Sequence, residues 1–248
     1  MRYLLLLLSC LALSHAVVSI APVEIGKNPG ISGEIEASLE TKRGNTEKDE
    51  YKGGARVLYD NNASYVTWGE VSANYAEASG VKNTNKTYAH LRYIHTFDAQ
   101  KDINWELFAQ SQTNEFTKIE ERFLTGGGFR FHILDKLTAS AYIGVGAFYE
   151  HIDYTTAVDP TEDNGRANLY LSYSRKLGED SSIAYVGYYQ PKIDAIDDYI
   201  ISNGLELRVH VYEELYASIK VYYDVDSKPA VGVKKEDFTQ TTSLVYKF

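Results

Sequence analysis

Apolar and polar residues alternate one by one along most of the chain after residue 30, and a period of two predicts β-strands. In 137–150, one face carries only apolar or aromatic residues, namely Leu137, Ala139, Ala141, Ile143, Val145, Ala147 and Tyr149. The segment 215–226 repeats the same alternation. A helical period would place Arg166, Arg208 and Lys220 within apolar faces, so the helical interpretation is rejected.

The alternation predicts twelve strands. They run over 30–43, 50–60, 64–77, 86–97, 103–113, 119–133, 137–150, 165–176, 181–191, 199–211, 215–226 and 237–248. Most are much longer than the usual strand of about 5–6 residues. Strands that cross a bilayer at a tilt need about 9–11 residues in its apolar zone. The sequence therefore predicts an all-β fold, an antiparallel transmembrane β-barrel of about 12 strands (10–14).

The predicted connections alternate in length. Those after even-numbered strands are short, at 61–63, 98–102, 134–136, 177–180 and 212–214. Those after odd-numbered strands are mostly longer, at 44–49, 78–85, 114–118, 151–164, 192–198 and 227–236. Outer-membrane barrels have short periplasmic turns and longer outer loops, so this alternation predicts that both termini are periplasmic.

The first residues have the pattern of an export signal. Met1 and Arg2 precede an apolar run that ends at Ser14-His15-Ala16, which is typical of a secretory signal peptide cleaved after Ala16. The run is too short to be a membrane-spanning helix. An alternative is a lipoprotein acylated at Cys10, the single cysteine of the chain. We expect 1–16 to be the signal peptide, 17–29 a periplasmic lead-in and 30–248 the outer-membrane barrel.

The last strand has a second export-related pattern. Leu244, Tyr246 and Phe248 alternate on one face, and Phe248 is the final residue. This arrangement resembles the assembly signal of bacterial outer-membrane barrels, so we expect the barrel-assembly machinery to bind this strand. The alternative is an ordinary amphipathic strand that ends in phenylalanine.

Two stretches also resemble one known family. The first is Gly33–Thr41 followed by Gly44-Asn45-Thr46, and the second runs from Tyr222 through the basic loop Lys228–Lys235 to Asp237–Phe248. They resemble a domain-of-unknown-function outer-membrane family whose bacterial members are called salt-induced outer membrane proteins. The glycine-rich 125–129 and 144–146 fit the same family in pattern only. The resemblance covers about 30–248, and it implies an outer-membrane barrel, a link to salt or envelope stress, and no assigned catalytic residues.

Charge is concentrated on the face that we predict to line the lumen, the space that the barrel encloses. The candidates are Arg56, Arg92, Glu106, Arg130, Arg166, Glu206, Arg208 and Lys220, together with His90, Arg122, His132, Glu150 and His210. One interpretation is a polar pore whose charges select solutes. The other is a closed interior in which Arg–Glu pairs brace the wall and tyrosines fill the space, because buried charges are expected to be paired. Tyr142, Tyr170, Tyr188, Tyr216 and Tyr222 are predicted to point inward.

The sequence offers little support for catalysis, cofactors or nucleic acid. No Gly-x-Ser-x-Gly or His-Glu-x-x-His motif is present, and His151 with Asp153 is the nearest approach to a catalytic pair. A formal charge of −9 excludes phosphate-backbone binding as the main role. We therefore predict a non-enzymatic outer-membrane pore or structural barrel, without cofactor, catalytic site or metal site. The alternatives are an outer-membrane barrel hydrolase for lipid or peptide, and a soluble secreted β-sandwich.

The predicted outer surface suits a bacterial outer membrane. Tyrosine is in excess, with 21 residues against 9 Phe and 2 Trp, and rings with polar tips are stable at the level of lipid headgroups. The predicted aromatic girdles contain Tyr51, Tyr65, Tyr75, Trp105, Tyr149, Tyr185, Tyr199 and Tyr246. The predicted outer loops are acidic, at 47–50, 153–163 and 194–198. Expected partners are outer-membrane lipids and lipopolysaccharide, with divalent cations bridging to the acidic loops or, alternatively, a solvated acidic surface.

Overall fold

The chain folds into a closed barrel of twelve antiparallel strands. The computed structural model describes residues 21–42, 48–78, 81–98 and 100–248, and each strand pairs with its neighbours in sequence while β1 pairs with β12. The strands are β1 Gly30–Lys42, β2 Lys48–Asp60, β3 Tyr65–Ala78, β4 Val81–Thr96, β5 Ile103–Asn114, β6 Ile119–Lys136, β7 Ala139–Tyr154, β8 Glu162–Lys176, β9 Ser181–Pro191, β10 Tyr199–Tyr212, β11 Leu215–Asp226 and β12 Glu236–Lys247. This confirms the predicted fold class and the strand number.

Helical structure is minor in the described part of the chain. A short 3-10 helix, Glu115–Thr117, connects β5 to β6 and is capped by the Asn114 side chain. Lys118 ends it with a φ of 61°. Among the described residues, no helix has the length and apolarity to cross a membrane.

Alternation along each strand separates an apolar outside from a polar inside. Leu91, Leu107, Phe129 and Val145 are among the many large apolar side chains exposed on the outer face. The inner face contains Glu106, Glu150, Glu206 and Lys220, which are almost fully buried. Since a closed sheet leaves no unpaired strand edge, all strands find hydrogen-bonding partners around the ring.

Two predicted loops are partly strand. β4 begins at Val81 rather than at 86, β7 extends to Tyr154, and β8 begins at Glu162. The connections predicted at 78–85 and 151–164 are therefore wrong, because both were predicted too long. Polar residues continue the β7–β8 pairing, as His151 pairs with Asp163 and Ile152 with Glu162. The alternation of apolar and polar residues does not predict strands here because the outward positions are no longer apolar.

The barrel closes at the seam between β1 and β12, where Glu34–Ala37 pair with Leu244–Lys247. Gly33 and Phe248 extend the seam with two backbone hydrogen bonds of 2.9 and 3.0 Å. A Cβ atom on Gly33 would lie 2.5 Å from the Phe248 ring and 2.7 Å from the Arg56 carbonyl oxygen. Gly33 is therefore needed so that the terminal phenylalanine can lie across β1.

Candidate solute cavity

One side of the interior is filled by a charged network from β1, β10, β11 and β12. Lys220 is 0% exposed and pairs with Glu36, which also accepts the Ser243 hydroxyl. Arg208 bridges two carboxylates, with 2.8 Å from Nη1 to Glu34 and 2.7 Å from Nη2 to Glu206. The Lys220–Glu36 and Arg208–Glu34 pairs join strands that are not neighbours in the sheet, so they brace the inside of the barrel.

A second network lies toward the end of the barrel with the connections after odd-numbered strands, here called the loop end. Glu150 accepts hydrogen bonds from Arg122 Nε at 2.8 Å and from Arg166 Nε at 2.5 Å. Arg166 also reaches Asp198 at 3.1 Å. Glu150 is therefore fully neutralised by two arginines from the strands on either side.

Two arginines in the middle of the barrel are less well compensated. The Arg92 guanidinium lies 3.6 Å from Glu106 and within 6.0 Å of the rings of Trp68, Phe108 and Tyr170. Arg130 lies over the Tyr142 ring, with Cζ 3.5 Å from the ring centroid. No hydrogen-bond acceptor is present for Arg92 Nε, Arg130 Nε or Arg130 Nη2 within the described residues. Arg56, by contrast, is paired with Glu70 at 2.6 Å.

These unpaired donors border a cavity of about 410 Å³ inside the barrel. Its wall includes Arg56, Arg92, Arg130 and Arg166 of the predicted lumen residues, and also His90, Tyr170, Tyr188 and Tyr222. Glu106, Glu206, Arg208 and Lys220 lie in the buried networks and do not line it. Of the eight predicted lumen residues, four therefore line the cavity and four are buried away from it.

Residues 21–29 occupy the opposite end of the barrel, here called the turn end because the short turns after even-numbered strands lie there. Val23 and Ile25 pack against a buried apolar cluster of Leu58, Val66, Trp68 and Ile94. The Asp60 carboxylate accepts the Gly26 N–H at 2.7 Å, and Lys101 Nζ donates to the Ile25 carbonyl at 3.1 Å. Ala21, Pro22 and Val23 line the cavity, so this segment forms its floor. Sequence reasoning placed 17–29 outside the barrel as a lead-in and missed these contacts.

The loop Ser227–Lys235 covers the cavity at the loop end. Pro229, Ala230 and Val233 line the cavity, and Ala230 is buried. The Val231 N–H donates to Asp159 at 2.9 Å, and Lys118 Nζ donates to the Val231 carbonyl. The loop is thus tied to the β7–β8 connection and to the turn after β5.

A serine, a histidine and an aspartate meet at the turn end, a group that sequence reasoning missed. Ser140 Oγ lies 3.1 Å from His132 Nε2, and Asp102 Oδ1 lies 3.8 Å from His132 Nδ1. Ser140 is only 4% exposed, His132 stacks on Tyr142 at 4.3 Å, and neither lines the cavity. The register of the β6–β7 hairpin, with a bulge after His132, was the signal that would have found this group.

The predicted pair, His151 with Asp153, lies on the outer surface. His151 Nδ1 is 2.8 Å from Asp163, and His151 Nε2 is 3.3 Å from Asp153. Within the part of the chain that is described, no three histidine, cysteine or acidic side chains form a group able to hold a metal ion. Several loop acids are used in ion pairs instead, such as Asp198 with Lys192 and Asp197 with Lys228. Glu47 and the side chain of Asp49, as well as the predicted signal peptide, lie outside the described residues.

The outer face carries bands of aromatic rings. At the turn end, Tyr59, Tyr65, Tyr93 and Trp105 lie on successive strands with ring centroids 5.3–6.0 Å apart. At the loop end, Tyr51, Tyr75 and Tyr149 are exposed, and Tyr189 contacts Tyr199 at 5.8 Å. Leu244, Tyr246 and Phe248 of the predicted assembly signal are also exposed on the outer face. Such rings at two levels suit the two interfaces of a bilayer.

The fold belongs to the class of twelve-stranded barrels seen in outer-membrane porins. A KdgM porin in complex with disordered oligogalacturonate is 12% identical, with 88% of this chain and 99% of that chain covered and a TM-score of 0.50. The NanC porin is 9% identical, with 87% and 97% covered and a TM-score of 0.51. At these identities the likeness concerns the fold alone.

The family follows from the sequence. The model of the family described as "Protein of unknown function, DUF481" matches residues 35–248, so the chain belongs to this family. This confirms the predicted membership in a domain-of-unknown-function family. A search of curated proteins finds no match.

Proposed function

We propose that this chain is a non-enzymatic outer-membrane pore for small solutes or ions, and that residues 21–29 limit its opening. The observation that carries this proposal is a polar cavity enclosed by a barrel whose outside is apolar and aromatic. An apolar belt of this kind is stable only against lipid, and a polar interior gives water and solutes a path through it. The similar barrels are named porins, which supports the same role.

The proposed orientation places the turn end in the periplasm and the loop end outside. Residues 1–16 would be removed during export, and β12 would present Leu244, Tyr246 and Phe248 to the assembly machinery. The acidic loops would then lie at the level of lipopolysaccharide, where carboxylates can bridge through divalent cations. A link to salt or envelope stress follows from the resemblance to the salt-induced proteins and belongs to the same proposal.

Single-channel recording tests the pore. The refolded protein is compared with the double variant Val23→Ser/Ile25→Ser, in which the apolar contacts of the segment are weakened. We expect rare or small current steps from the wild type and larger, longer ones from the variant. A matched control is Val57→Ser, on the outer face, which leaves the segment in place. Folded, inserted protein without current from any variant would contradict a pore and favour a structural barrel.

A barrel hydrolase is the second candidate, because Ser140, His132 and Asp102 follow the order of a catalytic triad. Three features oppose it: the serine is buried, the histidine is stacked on Tyr142, and Asp102 is 59% exposed instead of buried behind the histidine. Labelling with a fluorophosphonate separates the two functions. We expect no labelling of the wild type. Labelling that is lost in Ser140→Ala would establish the hydrolase.

A further inference from the structure

The cavity wall has an excess of positive charge although the whole chain is acidic. Nine basic side chains line it, at Arg56, Lys86, Arg92, Arg122, Arg130, Arg166, Lys228, Lys234 and Lys235. Six acidic side chains line it, at Glu70, Glu162, Asp198, Asp224, Asp226 and Asp237. The formal charge of the chain is −9, so the wall has the opposite sign to the protein as a whole. A cavity whose wall has an excess of positive charge attracts anionic solutes.

A buried positive charge without an ion-pair partner among the described residues lies at Arg130. Its side chain is 4% exposed and borders the cavity, yet no carboxylate lies within ion-pair distance among the described residues. The Tyr142 ring covers one face of the guanidinium, while Nε and Nη2 at its edge have no acceptor. Buried donors without acceptors are rare in folded proteins because each has lost its hydrogen bonds to water without a replacement. An anion that accepts from both would supply that replacement.

Arg92 supplies a second donor that borders the same cavity. Its Nε also has no acceptor, and its guanidinium lies 6.0 Å from the Tyr170 ring centroid. The Tyr170 hydroxyl donates to Glu106 at 3.0 Å, so this carboxylate has a second partner besides Arg92. Arg92 thus has Glu106 as its ion-pair partner at 3.6 Å, whereas Arg130 has no carboxylate partner among the described residues, which leaves its positive charge uncompensated.

The rest of the wall defines the solute further. Tyr88, Tyr188 and Tyr222 line the cavity with aromatic rings, and Gln110 and Gln190 add amide groups. Amide groups hydrogen-bond hydroxyls, and rings pack against carbon atoms. Guanidinium groups bind carboxylates through two parallel hydrogen bonds.

We propose that the cavity binds small hydroxylated organic carboxylates, and that Arg130 and Arg92 bind the carboxylate group. This site rests on the proposed pore function, for which it defines the solute class. The alternative is a hydrogen bond within the protein, between Arg130 and Asn104. Asn104 pairs with Arg130 across the sheet, and its Oδ1 also has no donor. If Arg130 donates to Asn104, the arginine needs no ligand and no anion binds.

Tryptophan fluorescence tests the binding without requiring current. Trp68 lies 5.7 Å from the Arg92 guanidinium, and Trp105→Phe leaves it as the single tryptophan of the chain. The refolded Trp105→Phe protein is titrated with sodium gluconate and, as an uncharged solute of similar size, with glucose. We expect a saturable change with gluconate and none with glucose.

Arginine variants locate the site. In the same background, Arg130→Gln is expected to weaken gluconate binding by about tenfold or more, the usual effect of losing a charged hydrogen bond. Arg175→Gln removes the same charge at an exposed position and is expected to change binding less than about twofold. Circular dichroism checks that each variant is folded. If Arg130→Gln does not fold, Arg92→Gln replaces it in the gluconate titration.

The outcomes separate this proposal from the pore itself. Equal responses to gluconate and glucose, or unchanged binding in both arginine variants, would overturn the carboxylate site while leaving single-channel current as the measure of the pore. Gluconate binding without current would support the site and contradict the pore.

Discussion

The Asp60 carboxylate holds the Gly26 N–H at 2.7 Å and the Asn28 N–H at 3.3 Å, so the barrel wall fixes the segment that forms the cavity floor. Asp60 is almost fully buried, and bonds to a buried charged acceptor are stronger than neutral ones. Within the described part of the chain, residues 21–29 form no strand and so have no strand partner. A single acid therefore contributes much of their attachment.

Asp60→Ala is expected to release this segment. Loss of two hydrogen bonds to a carboxylate raises the population of the detached state by about tenfold or more. The rate of trypsin cleavage after Lys27 in the refolded protein measures the population of this detached state. Asn61→Ala is the matched control, because Asn61 accepts three backbone N–H groups of the same turn but none from the segment. Equal cleavage rates in the two variants would contradict the role of Asp60.

Lys220→Met is expected to destabilise the barrel because it leaves Glu36 buried without its cation. Removal of one partner from a buried ion pair costs about 3–5 kcal/mol. The double variant Lys220→Met/Glu36→Gln removes both charges and is expected to recover a large part of this loss. Urea unfolding in lipid vesicles gives both free energies. If the double variant were less stable than the single one, the pair would not be the source of the effect.

Gly33→Val is expected to prevent closure of the barrel, since any Cβ atom at Gly33 meets the Phe248 ring and the Arg56 carbonyl. Gly53→Val is the control on the neighbouring strand, where no atom lies within 4 Å of the added Cβ. Heat-modifiable migration in gels reports the closed barrel. We expect it to be lost in the first variant and kept in the second; normal migration of Gly33→Val would show that Phe248 can leave the seam.

Asp159 is expected to hold the Ser227–Lys235 loop in place across the neutral pH range. Hydrogen bonds from the Thr156 hydroxyl and the Val231 N–H lower the pKa of Asp159 below its ordinary value. A lowered pKa means that the contact is fully present above the ordinary aspartate value of about 4 and is lost as pH falls through the lowered pKa. Hydrogen exchange at the Val231 amide, corrected for its intrinsic pH dependence, measures this.

Protection of the Val231 amide should stay constant at neutral pH and be absent in Asp159→Ala at every pH. Asp194→Ala, in another acidic loop, is the control and should behave as the wild type. Protection that survives in Asp159→Ala would mean that another contact fixes the loop.

The strands and their inner and outer faces could be predicted because the side chains along a barrel strand alternate between a polar inside and an apolar outside. Leu137–Glu150 is the clearest case, since the predicted outward residues Ile143, Val145 and Tyr149 are exposed, while the predicted inward residues Tyr142, Phe148 and Glu150 are buried. The β7–β8 extension was not predicted because His151 and Asp163, which pair beyond the apolar belt, look like loop residues.

The cavity floor could not be predicted from periodicity. Residues 21–29 have no alternating pattern, and their contacts with Leu58 and Ile94 join parts of the chain far apart in sequence. In the same way, the list of charged inward positions did not separate Lys220, which has a carboxylate partner, from Arg130, which has none among the described residues. That separation depends on cross-barrel geometry, which the pattern of single strands does not contain.

The most direct test of the account is whether lipid touches the outer face and not the inside. The chain has two tryptophans: Trp105 lies on the outer face beside Tyr93, and Trp68 is buried in the interior. The variants Trp68→Phe and Trp105→Phe each leave a single tryptophan. Each refolded variant is inserted into vesicles that contain lipids brominated near the headgroup. We predict strong quenching of Trp105 and little quenching of Trp68. Equal quenching of both, or quenching of neither, would contradict a membrane-spanning barrel with this inside and outside.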